Sequence, residues 1–159
     1  MIARTAYIAL GGNVGDRGAN LMSALKMLDK VPGVEVRVVS QLIETEPVGG
    51  PADQPKFLNG AVEVRTTLSP QDLLAALHEI EAALGRDRDK ETPWGPRTCD
   101  LDLLVMGSTC LDSDELKLPH PHMHERLFVL RPMAQIAPDL IHPVLKKTIV
   151  ELLIEAETR

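Results

Sequence analysis

The chain has 159 residues, of which 25% are charged, and its formal net charge is −6 at pH 7. This length predicts one domain over residues 1–159 that buries about 70% of the surface its unfolded chain exposes. The acidic balance argues against non-specific nucleic-acid binding. The first ten residues lack the apolar region of a signal peptide, and no apolar run reaches the length of a membrane span. The two cysteines, Cys99 and Cys110, form no disulfide framework, so we expect a cytoplasmic protein.

Alternating and periodic apolar residues predict the elements in chain order. They are a strand at 7–10, a helix at 17–30, strands at 34–44 and 57–66, a helix at 70–84 and a strand at 100–106. The glycine-rich loop GGNVGDRG follows the first strand, and a proline-rich loop covers 45–56.

The last third of the chain adds smaller elements. A hairpin at 106–109 leads to a short strand near Leu111, a helix follows at 128–136, and Thr148 opens a last helix with Glu151 completing a capping box. The order β-α-β-β-α-β predicts a ferredoxin-like α+β fold, a split β-α-β with a mostly antiparallel sheet and helices packed on both sides.

Two aspartates, Asp100 and Asp102, are separated by one leucine and continue into an apolar run. Side chains two residues apart on a strand share a face, so the two carboxylates lie about 7 Å apart while Cys99 and Leu101 point away. Like charges at that distance repel, and a cation is expected beside them. Magnesium takes one or two carboxylates and completes its shell with water and phosphate. Arg97, just upstream, is the residue type that neutralises phosphate.

The same D-x-D pattern is also typical of a solvated edge strand whose acids pair with nearby arginines. The segment WGPRTCDLDLLV favours a functional site, because it places a Gly-Pro turn, a tryptophan and an arginine beside the two acids.

Phe57 and Asn59 share a strand face, which suits a flat heterocycle with a polar edge, although a core phenylalanine and a strand-end asparagine are the alternative. Glu81 occupies an apolar position of its helix, which indicates either a function or an ion pair with Arg86.

Three histidines, His120, His122 and His124, lie in LPHPHMHERLF. They lack the context of a zinc site, and a histidine acting with Arg126 on phosphate fits better than zinc. The loop GGNVGDRG lacks the lysine of a P-loop and the spacing of a dinucleotide fingerprint, so we interpret it as a tight turn.

With these segments identified, the chain resembles the 6-hydroxymethyl-7,8-dihydropterin pyrophosphokinase family over nearly its whole length. The matching blocks are YIALGGNVGD, TEPVGGPADQPKFLNGAV, LGRDRDKETPWGPRTCDLDLLV and LPHPHMHERLFVLRPMAQIAPDL, and the third contains the family's W-G-P-R-x-x-D-x-D pattern. The resemblance implies transfer of the β,γ-diphosphate of ATP to the hydroxymethyl oxygen of the pterin, with release of AMP, in folate biosynthesis. ATP and the pterin are the expected partners, and we expect a monomer that binds neither nucleic acid nor membrane.

The resemblance also implies roles around the phosphates. Asp100 and Asp102 would hold two Mg²⁺ ions that bridge the triphosphate, with Asp100 also next to the pterin. Arg86 and Arg97 would neutralise the transferring diphosphate. The expected ATP contacts are made by His78, Glu81, Arg88, Trp94, Arg97, Leu103, Lys117, His120 and Arg126.

The pterin would lie between the rings of Phe57 and Phe128, with Asn59 reading its edge. Trp94 would close over the site. The backbone at Thr45, Pro47, Val48 and Gly49 would line the pocket.

Two other functions remain open at this point. A metal-dependent phosphohydrolase would use the same two aspartates and would need no pterin. A non-catalytic nucleotide-sensing module, common on ferredoxin-like scaffolds, would not need paired metal-binding aspartates.

Overall fold

An antiparallel sheet with helices on both faces forms the frame of the molecule, which the computed structural model describes over residues 2–47, 49–85 and 96–159. The elements are β1 (Arg4–Gly12), α1 (Arg17–Asp29), β2 (Val34–Val39), β3 (Ile43–Thr45), β4 (Phe57–Thr66), α2 (Pro70–Ala83), β5 (Asp100–Met106), β6 (Leu111–Asp112), β7 (Lys117–Leu118), a 3-10 turn (Met123–Glu125), α3 (Leu127–Ile136) and α4 (Ile149–Glu157).

The main sheet has the strand order β2-β4-β1-β5, and β3 pairs with the other end of β4. Its neighbouring strands are all antiparallel. This order confirms the split β-α-β arrangement and the ferredoxin-like α+β class. Within the described ranges, no helix combines the length and the apolar character that crossing a membrane requires.

Each face of the sheet carries its own apolar cluster, as the two-residue period of a strand requires. On one face, Ile8 and Leu10 of β1 pack with α1 and α2, and on the other face Tyr7 and Ala9 pack with α3 and α4. The sheet is therefore covered on both sides, as predicted. A register shift in β5 opposite Tyr7 and Ile8 places the consecutive residues Leu104 and Val105 in one cluster, the one that contains Tyr7 and Ala9.

The predicted helix starts are confirmed by their caps. Ser69 accepts a hydrogen bond from the backbone N–H of Asp72 at the start of α2, and Thr148 and Glu151 form the capping box of α4. Gly85 has a φ of 92°, a left-handed conformation that suits its place after α2.

The single long strand predicted over 34–44 is wrong, because the chain leaves the sheet between β2 and β3. Ser40 is bonded to Ala61 twice: its N–H donates to the Ala61 carbonyl, and its hydroxyl accepts from the Ala61 N–H. A Cβ on Gly60 would lie 2.7 Å from Leu42 Cδ2, so the Leu42 side chain of the crossing segment packs directly over this glycine.

The turn predicted at 106–109 is confirmed, since the Thr109 N–H donates to the Met106 carbonyl at 3.0 Å, but the hairpin pairing expected around it is wrong. The strand near Leu111 exists, but it pairs with Lys117–Leu118 in a separate two-stranded sheet. The chain turns away after Gly107, and the 117–120 segment returns beside β5, where the N–H of His120 donates to the carbonyl of Leu104 at 2.8 Å.

Candidate active site

Asp100 and Asp102 lie on the face of the sheet that α3 and α4 cover. In the ladder between β1 and β5, Asp100 is opposite Gly11 and Asp102 is opposite Ala9. Both aspartates are partly exposed, while Cys99 and Leu101 are buried in the cluster on the other face. The predicted alternation is therefore confirmed, and both carboxylates lie on one side of β5.

A row of paired residues crosses three strands at this level. Asn59 of β4 and Asp100 of β5 are both opposite Gly11 of β1, so all three residues share one face. Neighbouring strands are about 5 Å apart, which puts the backbones of Asn59 and Asp100 about 10 Å from each other. A Cβ on Gly11 would lie 2.7 Å from the Asn59 Oδ1 atom. The glycine thus leaves room for the amide, and an amide and a carboxylate flank a position without a side chain.

Asn59 and Phe57 form the β4 side of this site. Asn59 is buried, and its Nδ2 donates a short hydrogen bond to the hydroxyl of Thr45, which is paired with Phe57 across β3 and β4. Phe57 is half-buried and belongs to neither apolar cluster of the described residues. This placement favours a ring that is available to a ligand over a core phenylalanine.

Helix α3 covers the same face and packs against β4. Its Phe128 is half-buried at the margin of the apolar cluster, and the guanidinium carbon of Arg126 lies 5.8 Å from the centre of the Phe128 ring. That distance falls within the range of a cation–π contact. An aromatic ring and a cation therefore meet where α3 begins.

His120 is held beside these residues as a neutral imidazole. Burial, followed by the charges of Arg126 and His122, lowers the pKa of His120 to about 4, while Asp100 acts in the opposite direction. Its Nδ1 accepts a 3.1 Å hydrogen bond from the N–H of His122. The ring proton is then on Nε2, which can donate to a phosphate oxygen at neutral pH.

The other two histidines of this segment contact Glu125. His122 Nδ1 lies 3.4 Å from one Glu125 oxygen, and His124 Nε2 lies 3.6 Å from the other. In the described part of the chain, no group of three or more His, Cys, Asp or Glu side chains has a metal-binding arrangement.

Three of the predicted ATP contacts do not reach the aspartate face with their side chains. Glu81 is 1% exposed and accepts a hydrogen bond from the Leu101 N–H, and Leu103 is buried among the residues that α1 and α2 cover. His78 is exposed on α2. The N–H of Leu101 points away from β1, and the backbone of Leu103, two residues on, points the same way. Leu103 therefore presents its backbone at the outer edge of β5.

Arg97 is positioned through its backbone by a residue that sequence reasoning missed. The Arg97 N–H donates to Asn13 Oδ1 at 2.9 Å, and the Arg97 carbonyl accepts from the Asn13 N–H at 2.8 Å. A Cβ on Gly12 would lie 2.5 Å from the Thr98 carbonyl, so this segment fits against β1 only over a glycine. The available signal is an asparagine directly after a strand and a Gly-Gly pair, a pattern that by itself predicts only a tight turn.

Some of the remaining predicted site residues lie within the described ranges, and others lie outside them. Thr45 and Pro47 are half-buried, Gly49 and Lys117 are exposed, and Lys117 pairs with Asp112 at 3.7 Å. Four further residues lie outside the described ranges: Val48, Arg86, Arg88 and Trp94.

Comparison with known proteins identifies the family of chains to which this one is similar. The family described as 7,8-dihydro-6-hydroxymethylpterin-pyrophosphokinase (HPPK) matches residues 7–138. A 2-amino-4-hydroxy-6-hydroxymethyldihydropteridine pyrophosphokinase of Bacillus subtilis is 50% identical over 131 residues, covering 82% of this chain and 77% of its own length. The enzyme of the same name from Pseudomonas aeruginosa is 47% identical over 143 residues, covering 90% of this chain and 86% of its own length.

Solved structures support the fold. The crystal structure of wild-type Plasmodium falciparum HPPK-DHPS with pteroate aligns with a TM-score of 0.77 over 99% of this chain, at 14% identity. This chain spans 45% of that longer Plasmodium chain.

Proposed function

The chain belongs to the 7,8-dihydro-6-hydroxymethylpterin-pyrophosphokinase family and transfers diphosphate from ATP to hydroxymethyldihydropterin in folate biosynthesis, and we propose that the row Asn59, Gly11 and Asp100 is the point at which its two substrates meet. The observation that carries this proposal is the pairing of all three residues on one face of the sheet. An amide suited to a heterocycle and a carboxylate suited to a metal–phosphate group stand on either side of a glycine.

Asp100 and Asp102 are the proposed ligands of two Mg²⁺ ions. Two partly exposed carboxylates on one strand face fit this ion, which prefers oxygen ligands and takes its remaining ligands from water and ATP phosphates. Magnesium supplies charge neutralisation of the triphosphate when bound.

The cationic and donor groups are proposed to hold the phosphates. Arg126 and His120 lie at the same end of the site as Asp100, since the charges of both Arg126 and Asp100 act on His120. Arg97, fixed through its backbone by Asn13, directly precedes the aspartate strand. By resemblance, Arg86 and Arg88 add further positive charge.

The pterin subsite is proposed between β4 and α3. Phe57 and Phe128 would stack on the two faces of the ring, and Asn59 would read its polar edge. The backbone at Thr45, Pro47, Val48 and Gly49 would complete this pocket. The availability of the Phe57 ring and the packing of α3 on β4 support this arrangement.

The adenosine part of ATP is proposed to lie along the outer edge of β5. The backbone of Leu103 and the neighbouring Lys117 would border it, since the 117–120 segment runs beside this strand. By resemblance, His78 and Trp94 also contact the nucleotide. Glu81 would act there through the Leu101 backbone that it holds.

The reaction needs positioning and charge neutralisation more than covalent chemistry. The hydroxymethyl oxygen of the pterin attacks the β-phosphorus of ATP and loses its proton to water. The bond from that phosphorus to the oxygen bridging to the α-phosphate breaks, and AMP leaves with that oxygen. Asn59 and the two rings would orient the attacking group, and the arginines would stabilise the charge on the transferring diphosphate.

The experiment that tests the proposal supplies ATP and Mg²⁺ to the purified chain with and without 6-hydroxymethyl-7,8-dihydropterin. We expect AMP only when the pterin and Mg²⁺ are both present. ADP as the main product would indicate ordinary kinase chemistry, and phosphate or diphosphate release without pterin would indicate a hydrolase. ATP binding with no turnover would indicate a sensing module.

Residues 1–159 are proposed to act as one cytoplasmic, monomeric domain with ATP and the pterin as its partners and without nucleic-acid or membrane binding. Cys99 is buried, Cys110 is exposed, and no disulfide joins them, which suits a reducing compartment. Light scattering on the purified chain would test the monomer.

A further inference from the structure

Asn13 joins two segments that are distant in the sequence, the loop between β3 and β4 and the stretch that leads into β5. It follows β1 directly and is 2% exposed. Its side-chain oxygen accepts from the N–H of Arg97, and its side-chain nitrogen donates to the Gln54 Oε1 atom at 3.0 Å and to the Pro55 carbonyl at 2.9 Å. These partners are 84, 41 and 42 residues away in the sequence.

The connection continues into the loop between β3 and β4. Gln54 Nε2 donates to the carbonyl of Gly49 at 3.1 Å. A chain of hydrogen bonds therefore runs from the Arg97 backbone through Asn13 and Gln54 to Gly49. One end is in the segment proposed to hold the diphosphate, and the other end is in the loop proposed to line the pterin pocket.

Among side chains of this length, only asparagine supplies both the two N–H donors and the oxygen acceptor that these hydrogen bonds use. Both N–H groups of its amide are used as donors, and its oxygen is used as an acceptor. Aspartate would keep the bond to Arg97 but would face the Gln54 oxygen and the Pro55 carbonyl with no donor. Alanine would leave the part-buried N–H of Arg97 and the carbonyl of Pro55 without this partner.

We propose that Asn13 is a positioning residue for diphosphate transfer. It holds the loop between β3 and β4, which is proposed to line the pterin pocket, at a fixed separation from the segment around Arg97. The inference rests on the proposed function, since it assigns one substrate to each segment. Asn13 is proposed to contact neither substrate. It acts through Gln54 on the pterin side and through the Arg97 backbone on the phosphate side.

The test compares Asn13→Ala, Gln54→Ala, the double variant and Asn20→Ala by steady-state kinetics with each substrate varied. Asn20 is the control, because its side-chain amide donates to the Val14 carbonyl in the same loop and not directly to Arg97 or to residues 49–55. The bond from the Val14 N–H to the Arg97 carbonyl is a backbone bond, which Asn20→Ala keeps. We expect Gln54→Ala to raise the KM for pterin by about fivefold or more with little change in kcat, because its hydrogen bonds to Asn13 and to the Gly49 carbonyl are both lost.

Asn13→Ala removes the side-chain hydrogen bonds to Gln54, to the Pro55 carbonyl and to the Arg97 N–H, and keeps only the backbone bond from its own N–H to the Arg97 carbonyl. We expect the same rise in KM for pterin and, in addition, a fall in kcat of about tenfold or more, because the diphosphate and the attacking oxygen are misaligned. Asn20→Ala should change neither constant by more than about twofold, since its bond is local. In the double variant, the Gln54 substitution should add nothing to the KM for pterin.

Two results would overturn the inference. The first is Asn13→Ala losing thermal stability while kcat and both KM values stay at the wild-type level. The second is an unchanged KM for pterin in Gln54→Ala. This variant changes only the loop between β3 and β4, so it tests the connection from Asn13 through Gln54 to Gly49 even if Asn13→Ala fails to fold. Either result with normal AMP formation by the wild type would leave the proposed function intact, whereas a wild type that forms no AMP would remove both.

Discussion

The carboxylate of Glu81 accepts a 2.8 Å hydrogen bond from the backbone N–H of Leu101, the residue between the two aspartates. Glu81 is buried on α2, which packs against β5 on the face opposite the site. A helix on one side of the sheet therefore holds the backbone from which both carboxylates project to the other side.

We predict that Glu81→Ala lowers the free energy of unfolding by about 1–3 kcal/mol, because the buried N–H of Leu101 loses this acceptor. Urea unfolding measures this change. Glu81→Gln keeps an acceptor and should recover most of the stability. If Glu81→Gln folds normally but loses ATP affinity, the acid contacts the nucleotide directly, and the indirect role is wrong.

Asp100→Asn and Asp102→Asn should each reduce turnover on the order of 100-fold or more, because outer-shell changes alone often cost a metal site about 10–100-fold. The folds should be retained, since both side chains are partly exposed and their mutual repulsion is relieved. AMP formation across a magnesium titration measures the loss. Asp139→Asn, at an exposed aspartate after α3, is the control and should behave like the wild type. Near-normal turnover of either site variant at low magnesium would contradict the metal site.

Phe57→Ala and Phe128→Ala should each weaken pterin binding by about 1–3 kcal/mol, if stacking on this ring resembles base–aromatic stacking. ATP binding should change much less. Titration with each substrate measures both affinities. Phe57→Leu separates stacking from apolar contact, because it keeps most of the apolar volume and removes the aromatic face.

A loss of folding stability in place of pterin affinity would contradict this prediction. A core phenylalanine replaced by alanine costs about 3–5 kcal/mol of folding stability. Such a loss, with pterin affinity unchanged in the folded fraction, would assign the rings to the core.

Acid should destabilise the protein partly through His142. Burial and the nearby His124 lower the pKa of His142, whose Nδ1 accepts from the N–H groups of Val144 and Leu145. The unfolded chain, with an ordinary histidine pKa near 6.5, takes up this proton more readily than the folded chain. The stabilising contribution is thus fully present above about pH 6.5 and is lost as the pH falls towards the lowered value.

His142→Asn tests this pH dependence, because its Oδ1 can accept the same two bonds without titrating. We predict that the difference in unfolding free energy between pH 7.5 and pH 5 is smaller in the variant than in the wild type. An identical difference in the two proteins would show that His142 does not contribute.

Local patterns were sufficient for much of this fold. The strand at 57–66, the cap at Ser69, the capping box at Thr148 and the shared face of Asp100 and Asp102 each depend on neighbours within a few residues. These features follow from strand alternation and from side chains that bond to adjacent N–H groups.

The features that were missed depend on distant partners. The break after β2 requires Ser40 to bond Ala61 and Leu42 to cross Gly60, and the pairing of β6 with β7 is decided by where the chain turns after β5. The Asn13 connections span even longer separations. No periodicity in the sequence encodes such contacts.

The glycine at position 11 also bears on how the enzyme could escape a competitive inhibitor. An inhibitor bound between Asn59 and Asp100 would contact the main-chain atoms of Gly11, and no amino-acid substitution can remove main-chain atoms. Any larger residue at Gly11 would bring its Cβ to 2.7 Å from the Asn59 oxygen and displace the amide proposed to recognise the pterin. Resistance arising at this position would therefore weaken the natural substrate together with the drug.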